Sequence, residues 1–255
     1  MLFDMSGKVA VVTGSSRGIG RAIALAMAGA GAKLVISSRK PEACQAVVME
    51  IEAGGGKAIS IPCNVGRKPE LEALVAGARK AYGRIDVMVA NAAINPHFGP
   101  LSEITDEAFD KIMATNIKSN LWLAQMVLPE MAKRRDGAMI IVSSIAGLRG
   151  ATTLGAYGIS KAADFQLARA LAVEWGPHNV RVNCIAPGLV KTDFARALWE
   201  DPELLKKAVD GNPLRRIGEP DDIAGAAVFL ASRAGAFVTG QVIVVDGGAT
   251  MIAWR

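Results

Sequence analysis

Two hydrophobic periods alternate along this chain, and that alternation narrows the possible folds more than any other feature. Short β-branched runs, KVAVVT (8–13), KLVIS (33–37), AISIP (58–62), IDVMVA (85–90), AMIIVS (138–143), VRVNCIA (180–186) and QVIVVD (241–246), read as strands buried on both faces. Between most of them lie longer stretches with helical spacing, at 18–30, 41–53, 68–82 and 156–175. Strand, helix and strand in repetition imply right-handed crossovers and a parallel sheet with helices on both faces. No Pro/Ser-rich linker or shift in composition divides the 255 residues, so 1–255 reads as one α/β domain.

Composition excludes several function classes. The net charge of +5 comes from 29 basic and 24 acidic residues spread along the chain, without the basic stripe of a nucleic-acid-binding protein. The densest basic run, Lys133-Arg134-Arg135, follows an apolar helical stretch, where positive charge complements a helix C-terminus. Cys44, Cys63 and Cys184 are odd in number and far apart, and the two histidines, His97 and His178, are too few for a His-rich metal site. No metal site is expected. The N-terminus runs straight into a strand and no apolar run has transmembrane length, so the expectation is a cytoplasmic protein with neither membrane nor nucleic-acid partner.

The first strand leads into Thr13-Gly14-Ser15-Ser16-Arg17-Gly18-Ile19-Gly20, and helical spacing starts at once. Glycines suit a tight turn, a close backbone approach to a pyrophosphate and close helix–strand packing. The helix N-terminus then offers free N–H groups and a positive dipole end. This T-G-x-x-x-G-x-G spacing resembles that of the short-chain dehydrogenase/reductase family, and the resemblance extends over nearly the whole chain. It implies a Rossmann-type, doubly wound, seven-stranded parallel sheet, which the seven runs match. It also implies nicotinamide-cofactor contacts from Gly14, Ser16, Arg17, Gly18, Ile19 and Gly20. The second strand ends Ser37-Ser38-Arg39-Lys40. Ser38 stands where NAD-preferring relatives carry Asp, and Arg39 with Arg17 can hold a 2′-phosphate through charge-assisted bonds, so NADP(H) is expected over NAD(H). The resemblance further places Asn64 and Val65 by the adenine, Asn64 replacing the usual Asp. It puts Asn91 and Ala92 at the adenosine ribose, and Pro187, Gly188, Val190 and Thr192 at the nicotinamide end.

The chemistry centres on Tyr157-Gly158-Ile159-Ser160-Lys161. Tyr157 and Lys161 are four apart on a predicted helix and share a face. A nearby ammonium favours phenolate, so Tyr157 can give a proton to a developing alkoxide or take one in the reverse direction. By resemblance both also contact the cofactor. Ser144, thirteen residues before Tyr157, matches the family's serine that polarises the substrate oxygen. Asn116 matches the asparagine that positions a water linking Lys161 to solvent.

The substrate side is assigned to 91–101 and to a lid, 189–216, with Phe194, Leu198 and Trp199 offering apolar surface to substrate, or merely packing the lid or filling an oligomer interface. Segments 91–101 and 189–203 resemble those of NADPH-dependent carbonyl and retinal reductases of animal peroxisomes, which take bulky ketones and aldehydes. The chain ends Ala253-Trp254-Arg255, without a Ser-Lys-Leu type of address. The expected activity is reduction of a hydrophobic ketone or aldehyde. Alternatives are a 3-oxoacyl-acyl-carrier-protein reductase, with Arg215 and Arg216 meeting an acidic carrier, a sugar or polyol dehydrogenase, and a non-enzymatic cofactor sensor. Resemblance also implies a homotetramer, built on helices within 106–134 and 156–175 and on the C-terminal strand region. The tail Met251-Ile252-Ala253-Trp254 would be buried against a partner subunit.

Overall fold

The computed structural model describes residues 1–251. Seven strands, β1 (Val9–Thr13), β2 (Lys33–Ser37), β3 (Lys57–Ser60), β4 (Val87–Ala90), β5 (Gly137–Val142), β6 (Val180–Pro187) and β7 (Val242–Val245), form one sheet. Its spatial order is 3-2-1-4-5-6-7, with every pairing parallel. The helices are α1 (Gly18–Gly29), α2 (Pro41–Ala53), α3 (Lys68–Tyr82), α4 (Asp106–Met113), α5 (Ser119–Arg134), α6 (Gly155–Trp175), α7 (Arg196–Trp199), α8 (Pro202–Asp210) and α9 (Pro220–Ala231).

The period of two along each strand divides the interior into two cores. In β1, Val11 joins the layer of α3, α5 and α6, among Leu74, Leu128 and Phe165. Its neighbours Ala10 and Val12 join the layer of α1, α2 and α9, among Ile23, Val47 and Ile223. The same split separates Met139 and Ile141 from Ile140 and Val142 in β5. This is why the runs lack a polar face: both sides of each strand are covered.

The strand order reverses between β1 and β4, and loops leaving the carboxyl ends of those strands part to either side. In open α/β sheets such a switch point is where ligands bind. The loops after β1, β4, β5 and β6 converge there, so the topology gathers four distant stretches of sequence at one edge.

Elsewhere, Lys133 and Arg134 occupy the last turn of α5, and Arg134 donates to the Ile85 carbonyl at 2.7 Å, as expected of charge at a helix C-terminus. All three cysteines are free and buried. Among the described residues no group of three or more His, Cys, Asp or Glu is placed to hold a metal, and no helix is long and apolar enough to cross a membrane. Met251 is exposed, and the rest of the expected apolar tail, 252–254, lies outside the described residues.

Candidate active site

The glycine loop is shaped by its own neighbours. Gly14 has φ +65° and Gly18 φ +55°, both in the left-handed region. A Cβ on Gly14 would lie 2.9 Å from Asn91 Nδ2, and one on Gly20 would collide with the Gly14 carbonyl. Gly20 therefore seats α1 against the turn, and Gly14 lets β4 approach. Asn91 closes this junction by donating through Nδ2 to the carbonyls of Thr13 (2.9 Å) and Gly14 (3.2 Å), while the Thr13 hydroxyl accepts from the backbones of Asn91 and Ala92. Arg17 precedes α1 in extended conformation, and no side chain among the described residues caps the helix. Its first N–H groups remain free to meet an anion. Thr192 approaches Gly18 from the far side, to 3.2 Å of where a Cβ would sit. The cradle fits a pyrophosphate.

At the end of β2, Ser38 bonds with Cys44 (3.1 Å), and Arg39 is exposed with no ion pair or hydrogen bond among the described residues. Arg17 is also exposed but paired, its guanidinium 3.0 Å from Asp193 of the lid. The Asn64 amide oxygen accepts from the Gly66 backbone at 3.1 Å, and Val65 is buried beside it. Pro187 ends β6, Gly188 donates to Val245, and Val190 bridges Gly218.

On α6 the side chains of Tyr157, Ser160, Lys161 and Asp164 are all buried, at positions that share one helical face. Lys161 Nζ lies 5.7 Å from the Tyr157 ring centroid. Burial pushes the Tyr157 phenol up, Lys161 and Ser144 pull it down, Asp164 pushes it up again, and the balance stays above the usual phenol range. Burial opposes the Lys161 charge, yet Asp164 and Tyr157 more than offset that, holding its pKa above the ordinary value. Ser144 ends the β5 loop with its hydroxyl accepting from Ala146 N at 3.1 Å.

Asn116 sits, fully buried, in a single π turn (Ala114–Lys118) that joins α4 to α5. Such turns displace the carbonyl ladder and often mark functional sites. Its amide accepts from Ile94 N (2.9 Å) and donates to the Ile94 carbonyl and to Ser160 Oγ, both at 3.0 Å. The side chain thus ties the loop after β4 to α6, and the Asn116 backbone carbonyl is linked to Lys161 through two residues the sequence reading did not single out. Asn120 donates to the Asn116 carbonyl (2.7 Å) and to Asp164 (2.9 Å), and Asp164 accepts from Lys161 at 3.1 Å. An acidic residue one turn after Lys161 on a buried helical face was the available signal for Asp164. Asp193, paired across 176 residues with Arg17, had none.

The segment expected to form a lid, 189–216, leaves the sheet after β6 and is clamped at both ends. Its first clamp is the Val190–Gly218 bridge, and its second is Asn212, which donates to Arg216 and Asp246 carbonyls at 2.8 and 3.2 Å. Phe194 packs over Tyr157 with ring centroids 5.9 Å apart and remains 56% exposed. Trp199 turns inward instead, donating to the Thr192 carbonyl at 2.8 Å under the Lys191 ammonium. Leu198 is partly covered. Of the three apolar candidates, Phe194 faces Tyr157 and Trp199 is tied to its own segment at Thr192.

Known proteins resemble the chain in sequence and fold. A family model described as enoyl-(acyl carrier protein) reductase matches residues 14–250. Dehydrogenase/reductase SDR family member 4 of the rabbit, Oryctolagus cuniculus, is 43% identical over 245 residues, 96% of this chain and 94% of that one. A 7α-hydroxysteroid dehydrogenase, solved with NADH and 7-oxo glycochenodeoxycholic acid, superposes with a TM-score of 0.93 at 37% identity, over 97% of this chain and 96% of that one. A gluconate 5-dehydrogenase from Burkholderia cenocepacia, solved with NADP and tartrate, gives 0.94 at 31%, over 99% and 98%.

Proposed function

Because the chain belongs to the short-chain dehydrogenase/reductase family, as an NAD(P)-dependent oxidoreductase that interconverts carbonyls and alcohols, we propose that it uses NADP(H) to reduce a hydrophobic ketone or aldehyde. The observation that carries this reading is the aromatic cover of Phe194 over Tyr157, which leaves an apolar ring facing the reacting position.

The cofactor preference rests on charge. The β2 end carries Ser38 and an uncommitted, exposed Arg39, with no carboxylate to repel a 2′-phosphate. Arg17 can join Arg39 once it leaves Asp193. Gly14, Ser16, Gly18, Ile19 and Gly20 with the α1 N-terminus would hold the pyrophosphate. Asn64 and Val65 would meet the adenine, Asn91 and Ala92 the adenosine ribose, and Pro187, Gly188, Val190 and Thr192 the nicotinamide end. A nicotinamide held there supplies the hydride. Ser144 holds the carbonyl oxygen, Tyr157 donates a proton to that oxygen as its charge develops, and Lys161 stabilises the phenolate left behind. Asn116 fixes α6 relative to the loop after β4.

The steroid in the hydroxysteroid dehydrogenase complex supports a bulky apolar substrate, whereas the gluconate enzyme supports a polyol acid. Phe194 favours the first. An acyl-carrier-protein substrate calls for a free basic patch. Arg216, however, is bound twice to Asp222, and Arg215 donates to the Asp210 carbonyl. Three buried free thiols suit a reducing, cytoplasmic setting. A homotetramer is carried over from the family resemblance, with helices within 106–134 and 156–175 as one interface.

The test is consumption of NADPH and of NADH against aryl ketones, α-diketones, retinal, sugar acids and acetoacetyl thioesters. Turnover of the bulky apolar carbonyls with NADPH is the expected result. Activity confined to sugar acids or thioesters refutes the substrate reading, and preference for NADH refutes the reading of the arginines. Tyr157→Phe should bind NADPH normally, seen by its fluorescence, and turn over nothing.

A further inference from the structure

Asp164 is a fully buried carboxylate that acid–base chemistry by Tyr157 and Lys161 does not by itself require. Burying such a group is costly unless it is paired and hydrogen-bonded, so its partners define its role. One oxygen accepts from the Lys161 ammonium at 3.1 Å and the other from Asn120 Nδ2 at 2.9 Å. Asn120 in turn donates to the Asn116 backbone carbonyl at 2.7 Å, so Asn120 and Asp164 form a line of hydrogen bonds from the π turn to Lys161 on α6. The ammonium has three N–H donors. Asp164 takes one and the Val142 carbonyl takes another at 3.0 Å, which leaves a single donor for the cleft.

We propose, resting on the acid–base reading of Tyr157 above, that Asp164 is a positioning residue of the catalytic pair, a buried counter-ion that aims the Lys161 ammonium and offsets its charge, so that Tyr157 serves as proton donor in a reductive reaction.

The charges decide the direction of the effect. The groups around Asp164 from the other packed elements are neutral: Asn116 and Asn120 from the π turn and α5, Ser143 from the loop after β5, and the Cys184 thiol from β6, whose pKa burial drives upward. Further along α6, Arg169 is exposed. The interacting ionisable groups are then Tyr157, Lys161 and Asp164. With the last two ionised the set is net neutral, and a phenolate adds an uncompensated negative charge to a buried site. Without the carboxylate the set is net positive, and the same phenolate completes an ion pair with Lys161.

The chain has two tyrosines, Tyr82 and Tyr157, so in a Tyr82→Phe background phenolate absorbance reads Tyr157 alone. Adding Asp164→Asn is expected to move the midpoint about one pH unit lower, roughly a tenfold larger phenolate fraction at a given pH below it. The alkaline limb of reductive kcat/KM should move with it. An unmoved midpoint would show a structural role only and overturn the proposal. A midpoint moved higher would overturn it too, since the loss of Asp164 would then act on Tyr157 by discharging Lys161 rather than by leaving its charge unopposed. Should the variant not fold, a carbon-13 titration of the Asp164 carboxyl in the wild-type protein decides. Ionisation at neutral pH supports the counter-ion, and a protonated carboxyl there overturns it. The phenolate titration needs no turnover, whereas Tyr157→Phe that still turned over substrate would strike only at the underlying acid–base reading.

Discussion

Phe194→Ala tests the substrate reading most directly. The ring packs against Tyr157 on one side and keeps 56% of its surface open. A phenylalanine side chain presents on the order of 200 Å², so roughly 110 Å² is open to a substrate. If a bulky ketone covers half of that, at about 25 cal/mol per Å², the contact contributes about 1.4 kcal/mol, or tenfold in affinity. The contact forms in the ground state and persists in the transition state. Its loss should therefore raise KM about tenfold and leave kcat near the wild-type value. A small ketone that cannot reach the ring should lose less than about threefold. The assay is NADPH oxidation with a matched pair such as an aryl and a short alkyl ketone. Equal losses for both substrates, or a fall in kcat with KM unchanged, would refute the idea that Phe194 selects by apolar contact.

Other consequences follow from charge and packing. Ser38→Asp places a carboxylate beside the expected 2′-phosphate and should raise the NADPH KM by about tenfold or more while sparing NADH, as read from initial rates. Asp193→Asn frees Arg17 from an exposed ion pair, so NADPH should bind up to about threefold more tightly by fluorescence titration. Asp86 is 1% exposed and accepts from Val9 N at 2.9 Å and from Arg84; Asp86→Asn should cost about 2–3 kcal/mol in urea unfolding. The Asp222 carboxyl is held down to about 2 by Arg216 and the Glu219 backbone. A depressed carboxylate stabilises the fold above its unfolded pKa near 3.8, and that contribution disappears as pH falls through about 2. Asp222→Asn should therefore flatten the acid limb of stability between those values, as followed by circular dichroism.

The elements could be read from the sequence because each is specified locally. Helix α2 begins at Pro41 and ends before Gly54, and α3 runs from Lys68 to the left-handed Gly83, as the spacing over 41–53 and 68–82 predicts. Small differences arise at strand ends, such as 85–90 beginning at Val87, where Ile85 and Asp86 instead serve as partners for Arg134 and Val9. Tyr157 and Lys161 were legible because one helix sets both. The partners of Asn116 were not, since Ile94, Ser160 and Asn120 come from three separate stretches and hydrogen bonding among them depends on the π turn. Nor could hydrophobic periodicity distinguish Phe194 from Trp199. Both are aromatic, five residues apart in the lid, and only the turn at Thr192 aims one at Tyr157 and the other at its own backbone.

The two clamps of segment 189–216 separate it from the rest of the fold. Residues 193–210 hang between Val190–Gly218 and Asn212, and their short helices carry their own caps, Thr192 accepting from Ala195 and Asp201 from Glu203 and Leu204. Neither core draws a fully buried residue from that stretch. Changes of sequence, and even of length, between the clamps can therefore accumulate at little expense to the sheet. The glycine cradle and the Tyr157 face, built on β1, β4 and α6, draw their geometry from outside that stretch.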